Sequence, residues 1–216
     1  MAMRRLLIAT ANRVKLAEYR LILRGVGIDL ELVSLAELGI SGRPEETGAT
    51  FTENALIKAR FYFQRARIAT LADDGGLEID ALGGEPGVRS HRWLGSGGDD
   101  SDQALVNEVI RRMKGVEAGR RAARIRATIA LIYEEGGAIR EKTAEGAIEG
   151  AIAERAYREI RAGFPYRAVL VIPGRNCYLG ELGDEQEAQI SQRRIAVSKL
   201  RDELERIAAG RGAQLS

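Results

Sequence analysis

The chain has 216 residues, 45% hydrophobic and 30% charged, an ordinary globular balance that is long enough to bury a sizeable core as one large or two-lobed domain. Its net charge of +2, with both signs interspersed, argues against a dedicated nucleic-acid binder, which concentrates basic residues on one face. The only cysteine, Cys177, excludes an intrachain disulfide and fits a reducing compartment.

The first ten residues, Met-Ala-Met-Arg-Arg-Leu-Leu-Ile-Ala-Thr, carry an apolar run that has ended by Asn12. It is too short for a signal-peptide core with its cleavage site and far too short to cross a bilayer, so a soluble cytoplasmic protein with no membrane partner is expected. Residues 6–9 read as a central strand. Leu16, Tyr19, Ile22, Leu23 and Val26 recur at helical spacing, and Gly25 and Gly27 supply a stop. Residues 30–35 form a second strand. Thr50-Phe-Thr-Glu53 has the form of a capping box and opens a helix through Ala55, Lys58, Ala59 and Tyr62. The apolar run of residues 68–72 then reads as a buried strand that ends abruptly in Asp73-Asp74 and a Gly75-Gly76 turn.

Residues 80–98 are rich in glycine and proline and read as a long loop or a run of turns. Residues 101–114 are helical, with Leu105, Val109 and Ile110 on one face. Ile125, Ala127, Ile129 and Leu131 alternate with polar or small residues, and Glu134-Glu-Gly-Gly137 forms a turn. A hairpin with a strand near residues 138–143 follows. Residues 169–172 read as a strand and residues 195–207 as a C-terminal helix. Arg111-Arg112 and Arg120-Arg121-x-x-Arg124 read as a solvated face, Trp93 as a packing anchor, and the lone His91 cannot form a metal cluster. Strands alternating with helices, plus a hairpin, give a mixed α/β sheet, and no repeat or clear linker divides residues 1–216.

Three segments carry candidate chemistry. A strand that brings Asp73 and Asp74 to its C-terminal edge puts two hard oxygen ligands where α/β sheets bind ligands. Magnesium takes one or two carboxylates, several waters and phosphate oxygens, so metal-assisted phosphate chemistry is suggested; on this segment alone a solvated turn fits equally. Thr10-Ala-Asn12-Arg-Val-Lys15 lies between a strand and a helix, where free amides and the helix dipole favour phosphate and Lys15 reaches back as a point charge. Glu45-Glu46-Thr-Gly48 precedes the capped helix, where carboxylates favour the helix itself and could also converge on a cation.

Together, Thr10-x-Asn12-x-x-Lys15, Glu45-Glu-Thr-Gly-x-Thr-Phe51-x-Glu53-Asn54-Ala55-x-x-Lys58-Ala59 and Ala72-Asp-Asp-x-Gly-Leu77 with Ala81-Leu-x-Gly-x-Pro-Gly-Val88-x-Ser90-x-Arg92 resemble the inosine triphosphate pyrophosphatase family. The match is dense over residues 6–92 and weaker to about residue 200. The resemblance implies an elongated mixed α/β fold of two lobes with a central cleft, usually a homodimer. It implies magnesium (Mg2+)-dependent hydrolysis of a non-standard purine nucleoside triphosphate to monophosphate and pyrophosphate. Thr10, Asn12 and Lys15 match the phosphate-binding motif, Glu45 a magnesium-associated position, and Asp74 the proton acceptor and metal contact, with Asp73 beside it.

The later motifs depart from the family. Gly163-Phe164-Pro165-Tyr166-Arg167-Ala168 stands where the family has Gly-Phe-Gly-Tyr-Asp-Pro. Glu187-Ala188-Gln189-Ile190-Ser191-Gln192-Arg193 stands where it has Lys-Asn-x-x-Ser-His-Arg, and Gly75 replaces a serine. On that resemblance Phe164, Tyr166, Arg167, Gly75, Gln192 and Arg193 are candidate substrate-binding residues, in the half of the site that reads the base and the sugar-proximal phosphate. Arg167 and Glu187 are expected to face each other as a charge-swapped pair, since a lone buried charge is expensive. Selectivity for inosine triphosphate is expected to be weaker than in a typical member. The competing reading is an inactive or weakly active relative that binds a nucleotide or another phosphorylated ligand as a sensor or interaction module. A nucleic-acid-binding role has little support.

Overall fold

The computed structural model describes residues 4–95 and 99–210, so the last three residues of the expected loop at 80–98 lie outside the described residues. In chain order the elements are β1 (Arg5–Ile8), α1 (Arg13–Gly25), β2 (Glu31–Ser34), α2 (Phe51–Ala66), β3 (Ala69–Ile79), α3 (Asp102–Arg112), β4 (Ala122–Glu135), β5 (Ala138–Ile152), β6 (Leu170–Ile172), β7 (Cys177–Tyr178), α4 (Asp184–Ile190), α5 (Gln192–Lys199) and α6 (Arg201–Ala208). The strands form one sheet in the order β2-β1-β3-β4-β5-β6-β7. β1 runs parallel to β2 and β3, whereas β6 is antiparallel to β5 and β7, so the sheet is mixed as expected.

The chain divides into two compact units. The first holds the residues up to Asp74, Ala127–Gly146 and those from Ser191 onward; the second holds Gly75–Arg126 and Ala147–Ile190. In the first unit, Ile8 pairs with Leu71 and with Ser34 at the end of the parallel ladder. Asn12 caps α1, which buries Tyr19, Ile22 and Leu23 at the spacing read from sequence. Thr50 and Glu53 form the expected capping box of α2. Ala55, Ala59, Tyr62 and Phe63 of that helix pack against Leu7, Val33, Ala72 and Ala130 of the strands. Gly146 of β5 has no room for a side chain: a Cβ there would stand 2.0 Å from the Gln192 carbonyl and 2.8 Å from Ile195 Cβ. That close approach seats the first turn of α5 directly on the strand.

In the second unit Leu77, Ile79, Leu105, Val109, Ile148 and Val169 build the core, and Trp93 joins them as a packing anchor. The Trp93 indole donates to Glu85 and lies under the Arg112 guanidinium. The basic run around α3 is not a solvated face throughout. Arg121 is buried and donates to the carbonyls of Met113, Val116, Ile152 and Ala153, satisfying the end of α3 and the end of β5. Arg124 pairs with Asp80 and Glu149.

Two expected elements are corrected. β3 does not end at the aspartates but runs through Asp73-Asp74-Gly75-Gly76 to Ile79, and neither glycine takes a left-handed φ. Gly76 serves close approach rather than turning: a Cβ there would lie 1.9 Å from Ser90 Oγ and 2.8 Å from the Gly87 carbonyl. The single C-terminal helix is two, α5 and α6, divided at Leu200 (φ −102°, ψ 14°). The bend lets Val197, Leu200 and Leu204 all reach the interior. Among the described residues no helix is long and apolar enough to cross a membrane.

Arg121→Met should lower stability by about 2–4 kcal/mol, because it strips donors from buried carbonyls. A urea titration checks this; an unchanged midpoint would mean that water replaces the guanidinium without loss.

Candidate active site

The turn between β1 and α1 is organised by its own polar residues. Thr10 Oγ1 accepts from the Asn12 amide at 3.1 Å, and Asn12 Oδ1 accepts from the amides of Val14 and Lys15 at 2.9 and 3.3 Å. This fixes the first turn of α1 and aims Lys15 at β3, where its Nζ lies 3.1 Å from Asp73 Oδ2. Burial pulls the Lys15 ammonium down; Asp73 opposes that pull without cancelling it.

Asp73 is 4% exposed. Its Oδ2 also accepts from Arg193 Nε at 3.0 Å, and Arg193 Nη1 reaches Glu18 Oε2 at 3.0 Å. Burial pushes the Asp73 carboxyl up, but Lys15, then Arg193 and Lys58, outweigh it and hold the group well below the usual carboxylate range. Burial likewise works against the Arg193 charge, while Glu18 and Asp73 more than restore it. Lys15, Asp73, Arg193 and Glu18 thus form a chain of alternating sign, buried except at its partly exposed Lys15 end. Glu18 Oε1 and the neighbouring Gln192 Oε1 are buried without a hydrogen-bond donor.

Consecutive side chains of a strand leave opposite faces, so Asp74 meets different partners. It lies on the face of Ala72, against α2. Asn54 Nδ2 donates to its Oδ2 at 3.3 Å and Lys58 Nζ to its Oδ1 at 2.9 Å. Asn54, 1% exposed, also accepts from the Gly48 amide at 2.8 Å and so ties the acidic loop to α2. Lys58 makes a second ion pair, to Glu46 Oε2 at 3.3 Å. Burial dominates at Asp74: its carboxyl is raised above the ordinary value despite Lys58. Burial works against the Lys58 ammonium, yet Asp74, Asp73 and Glu46 raise it overall.

Sequence reasoning took Glu46 with Glu45 as carboxylates that could converge on a cation, met Asn54 and Lys58 only as letters of a motif, and did not single out Glu18. Asn54 and Lys58 stand four apart on α2, and Lys15 and Glu18 three apart on α1, the spacings that share a helix face. Glu45 is exposed, and it is Glu46 that the loop brings to Lys58. Gly75 continues the strand beyond Asp74.

The base-reading candidates of the second unit form a cluster of their own. Arg167 and Glu187 are both buried and directly paired, the charge-swapped pair expected from sequence. The Arg167 guanidinium also lies over the Phe164 ring, 4.3 Å from its centroid. Tyr166 is buried, and its hydroxyl donates to the Ser90 carbonyl. Burial, with Asp100 and Asp102 nearby, keeps that phenol protonated.

Among the described residues no group of three or more His, Cys, Asp or Glu is arranged as a metal cage. Magnesium does not require one: it is held by one or two carboxylates and fills its shell with water and phosphate oxygens. Asp74 and Glu46, hard oxygen donors meeting on one ammonium, fit that demand.

Asp73→Asn should destabilise the protein at neutral pH by about 3–5 kcal/mol, the effect of breaking a buried pair. Because the folded carboxyl is depressed, its stabilising contribution is present above the unfolded value near pH ~4 and fades as pH falls through the folded value. Urea unfolding of both proteins between pH 7 and pH 2 should therefore converge toward low pH. A difference that stays constant across this range would rule out a charged Asp73 as its source.

Residues 6–203 match the model of the Ham1 family. The chain is 40% identical over 205 residues to the dITP/XTP pyrophosphatase of Bacillus subtilis (strain 168), covering 94% of this chain and 98% of that protein. Its structure resembles that of a HAM1 protein from Coxiella burnetii, with a TM-score of 0.79 and 31% identity over 94% of this chain and 99% of that one. It also resembles the Staphylococcus aureus Ham1 protein, with a TM-score of 0.77 and 30% identity over 94% and 98% of the two chains. These likenesses run through every segment that carries the site, from the Thr10 turn to Arg193, and the chain belongs to the Ham1 family.

Proposed function

We infer that this chain is a nucleoside triphosphate pyrophosphatase, a hydrolase that splits non-standard purine nucleoside triphosphates, such as those of deoxyinosine, inosine and xanthosine, into monophosphate and pyrophosphate. The observation that carries this reading is the divergence of two adjacent carboxyls. Asp73 is locked as an anion between Lys15 and Arg193, while Asp74 is raised by burial. Two neighbouring carboxyls pushed in opposite directions indicate divided roles. Asp73 holds the cations in place. Asp74 orients a water and accepts its proton as the water oxygen adds to phosphorus. The phosphoanhydride bond between the α and β phosphates breaks, and its electron pair leaves with pyrophosphate. Lys15, at the positive end of α1, offsets the charge that builds on the phosphate oxygens, and Lys58 steadies Asp74.

Magnesium fits this chemistry, with Asp74 and a carboxylate of the 45–46 loop as the residues that would hold it. When bound it supplies charge neutralisation on the phosphates. Thr10 and Asn12 shape the phosphate turn, and Gly75, next to Asp74 on β3, is assigned to substrate binding. Phe164, Tyr166 and Arg167 of the second unit are assigned to the nucleoside, and Gln192 and Arg193 of the first unit to substrate binding, Arg193 by way of the Asp73 carboxylate that it holds. We further assign the protein to the cytoplasm as a homodimer, on the family resemblance and the single cysteine.

Pyrophosphate release should occur with magnesium across a panel of deoxyinosine, inosine, xanthosine and ordinary nucleoside triphosphates. Asp74→Asn should lower it about 10²–10⁴-fold, the usual worth of a general base. No release on any nucleotide, or full activity in the variant, would overturn the reading.

Arg167 and Glu187 carry charges opposite to those of the family motifs, so discrimination for inosine and xanthosine triphosphates should be weaker than a typical member shows. Arg167→Asp and Glu187→Lys should each cut kcat/KM roughly tenfold or more, since each juxtaposes like charges in a buried site. The double reversal should recover most of the loss. No recovery in the double variant would show that the two side chains act separately.

A further inference from the structure

We propose that Ser90 is a positioning residue for nucleobase selection: its hydroxyl and its carbonyl fasten Tyr166, and with it the turn of residues 163–168, to β3. The proposal rests on the assignment of that turn to the nucleoside. Ser90 is 1% exposed. Its Oγ accepts from the Leu77 amide at 3.0 Å and donates to the Gly87 carbonyl at 2.6 Å. Its own carbonyl accepts from the Tyr166 hydroxyl. One residue therefore joins β3, three positions after Asp74, to the turn that carries Phe164 and Arg167.

The seat is built for a serine. Gly76 leaves bare backbone beneath it, and a Cβ at that position would overlap Ser90 Oγ at 1.9 Å and Ser90 Cβ at 2.6 Å. The start of the turn is held separately: the Gly163 amide donates to Asp102 Oδ2 of α3 at 2.7 Å, and Gly163 takes the left-handed φ of 77° that the turn requires. Ser90 fixes its other end. The Tyr166 hydroxyl is spent on this bond, so its part in selection is to place the turn, and the Phe164 ring with Arg167 over it is what the turn presents. A turn pinned at both ends keeps the rotamer of Arg167 over the ring, and a loosened end costs discrimination rather than chemistry.

Three variants test this: Ser90→Ala, Tyr166→Phe and the double. The readout is the ratio of kcat/KM for deoxyinosine triphosphate to that for deoxyadenosine triphosphate, with kcat and KM resolved. Ser90→Ala should lower the ratio roughly five- to tenfold, the worth of about one buried hydrogen bond. The loss should fall in KM for the inosine nucleotide, with kcat within about twofold. Tyr166→Phe should lower the ratio similarly, and the double variant should lose no more than the worse single, as residues of one link behave. An unchanged ratio, additive losses or a loss confined to kcat would overturn the proposal.

Exchange of the Leu77 amide supplies a readout that does not depend on turnover. It should quicken at least about tenfold in Ser90→Ala and also in Tyr166→Phe, which removes only a hydroxyl. Normal Leu77 exchange in Tyr166→Phe would break the link even if the protein turned over no nucleotide. Absence of turnover in the unaltered protein, with exchange quickened in both variants, would defeat the enzymatic reading and leave the fastening in place.

Discussion

An extended strand sends consecutive side chains to opposite faces, and β3 applies that rule to two carboxyls in a row. Asp73 is delivered to α1 and α5, where Lys15 and Arg193 meet on one of its oxygens. Asp74 is delivered to α2, where it meets one amide and one ammonium. The helices do not create this difference; they are placed to answer it. α1 brings its first-turn lysine, α5 its second residue, and α2 the pair Asn54 and Lys58 on one face. The glycine at 146 lets α5 lie close enough for Arg193 to take part.

Burying charge is expensive, and the arrangement offsets the cost by alternation: a half-buried ammonium, then carboxylate, guanidinium and carboxylate, all three buried. Without Asp73 the Lys15 ammonium and the Arg193 guanidinium would face each other with no anion between them, and without Arg193 the Glu18 carboxylate would lose its cation. Such a chain is stiff, and stiffness is what a site needs when its task is to hold charge still while a phosphate rearranges. The second unit treats charge in two other ways. Arg121 is satisfied by backbone carbonyls alone, a purely architectural use. Arg167 is paired with Glu187 and stacked on Phe164, which leaves it ordered within the segment assigned to the nucleoside.

Much of this was legible in the chain itself. Helical spacing located α1 and α2, and the Thr50 capping box marked the start of α2. The order of the phosphate, acidic and Asp-Asp motifs pointed to the family. The opposite signs at positions 167 and 187 suggested a pair that the structure contains. What escaped was long-range. Two glycines after two aspartates look like a turn, because glycine is usually read for its left-handed freedom. Here Gly76 is extended and is needed for lack of a side chain, a reason that depends on Ser90, fourteen positions on. Arg121 looked solvated because its partners are carbonyls, which carry no sequence signature. The break at Leu200 was hidden because both halves keep the same apolar spacing.

The unbroken passage of β3 through Asp73 and Asp74 has a consequence for how the chain can change length. An insertion in the Gly136-Gly137 hairpin turn, where both residues take left-handed φ, lengthens a loop and disturbs little else. A one-residue insertion between Leu71 and Asp73 would rotate everything after it by half a pleat. Asp74 would then face the cations of α1 and α5, Asp73 would be thrown to α2, and Gly76 would no longer lie under Ser90. Such a chain would keep every residue of its motifs and lose the arrangement that gives them meaning.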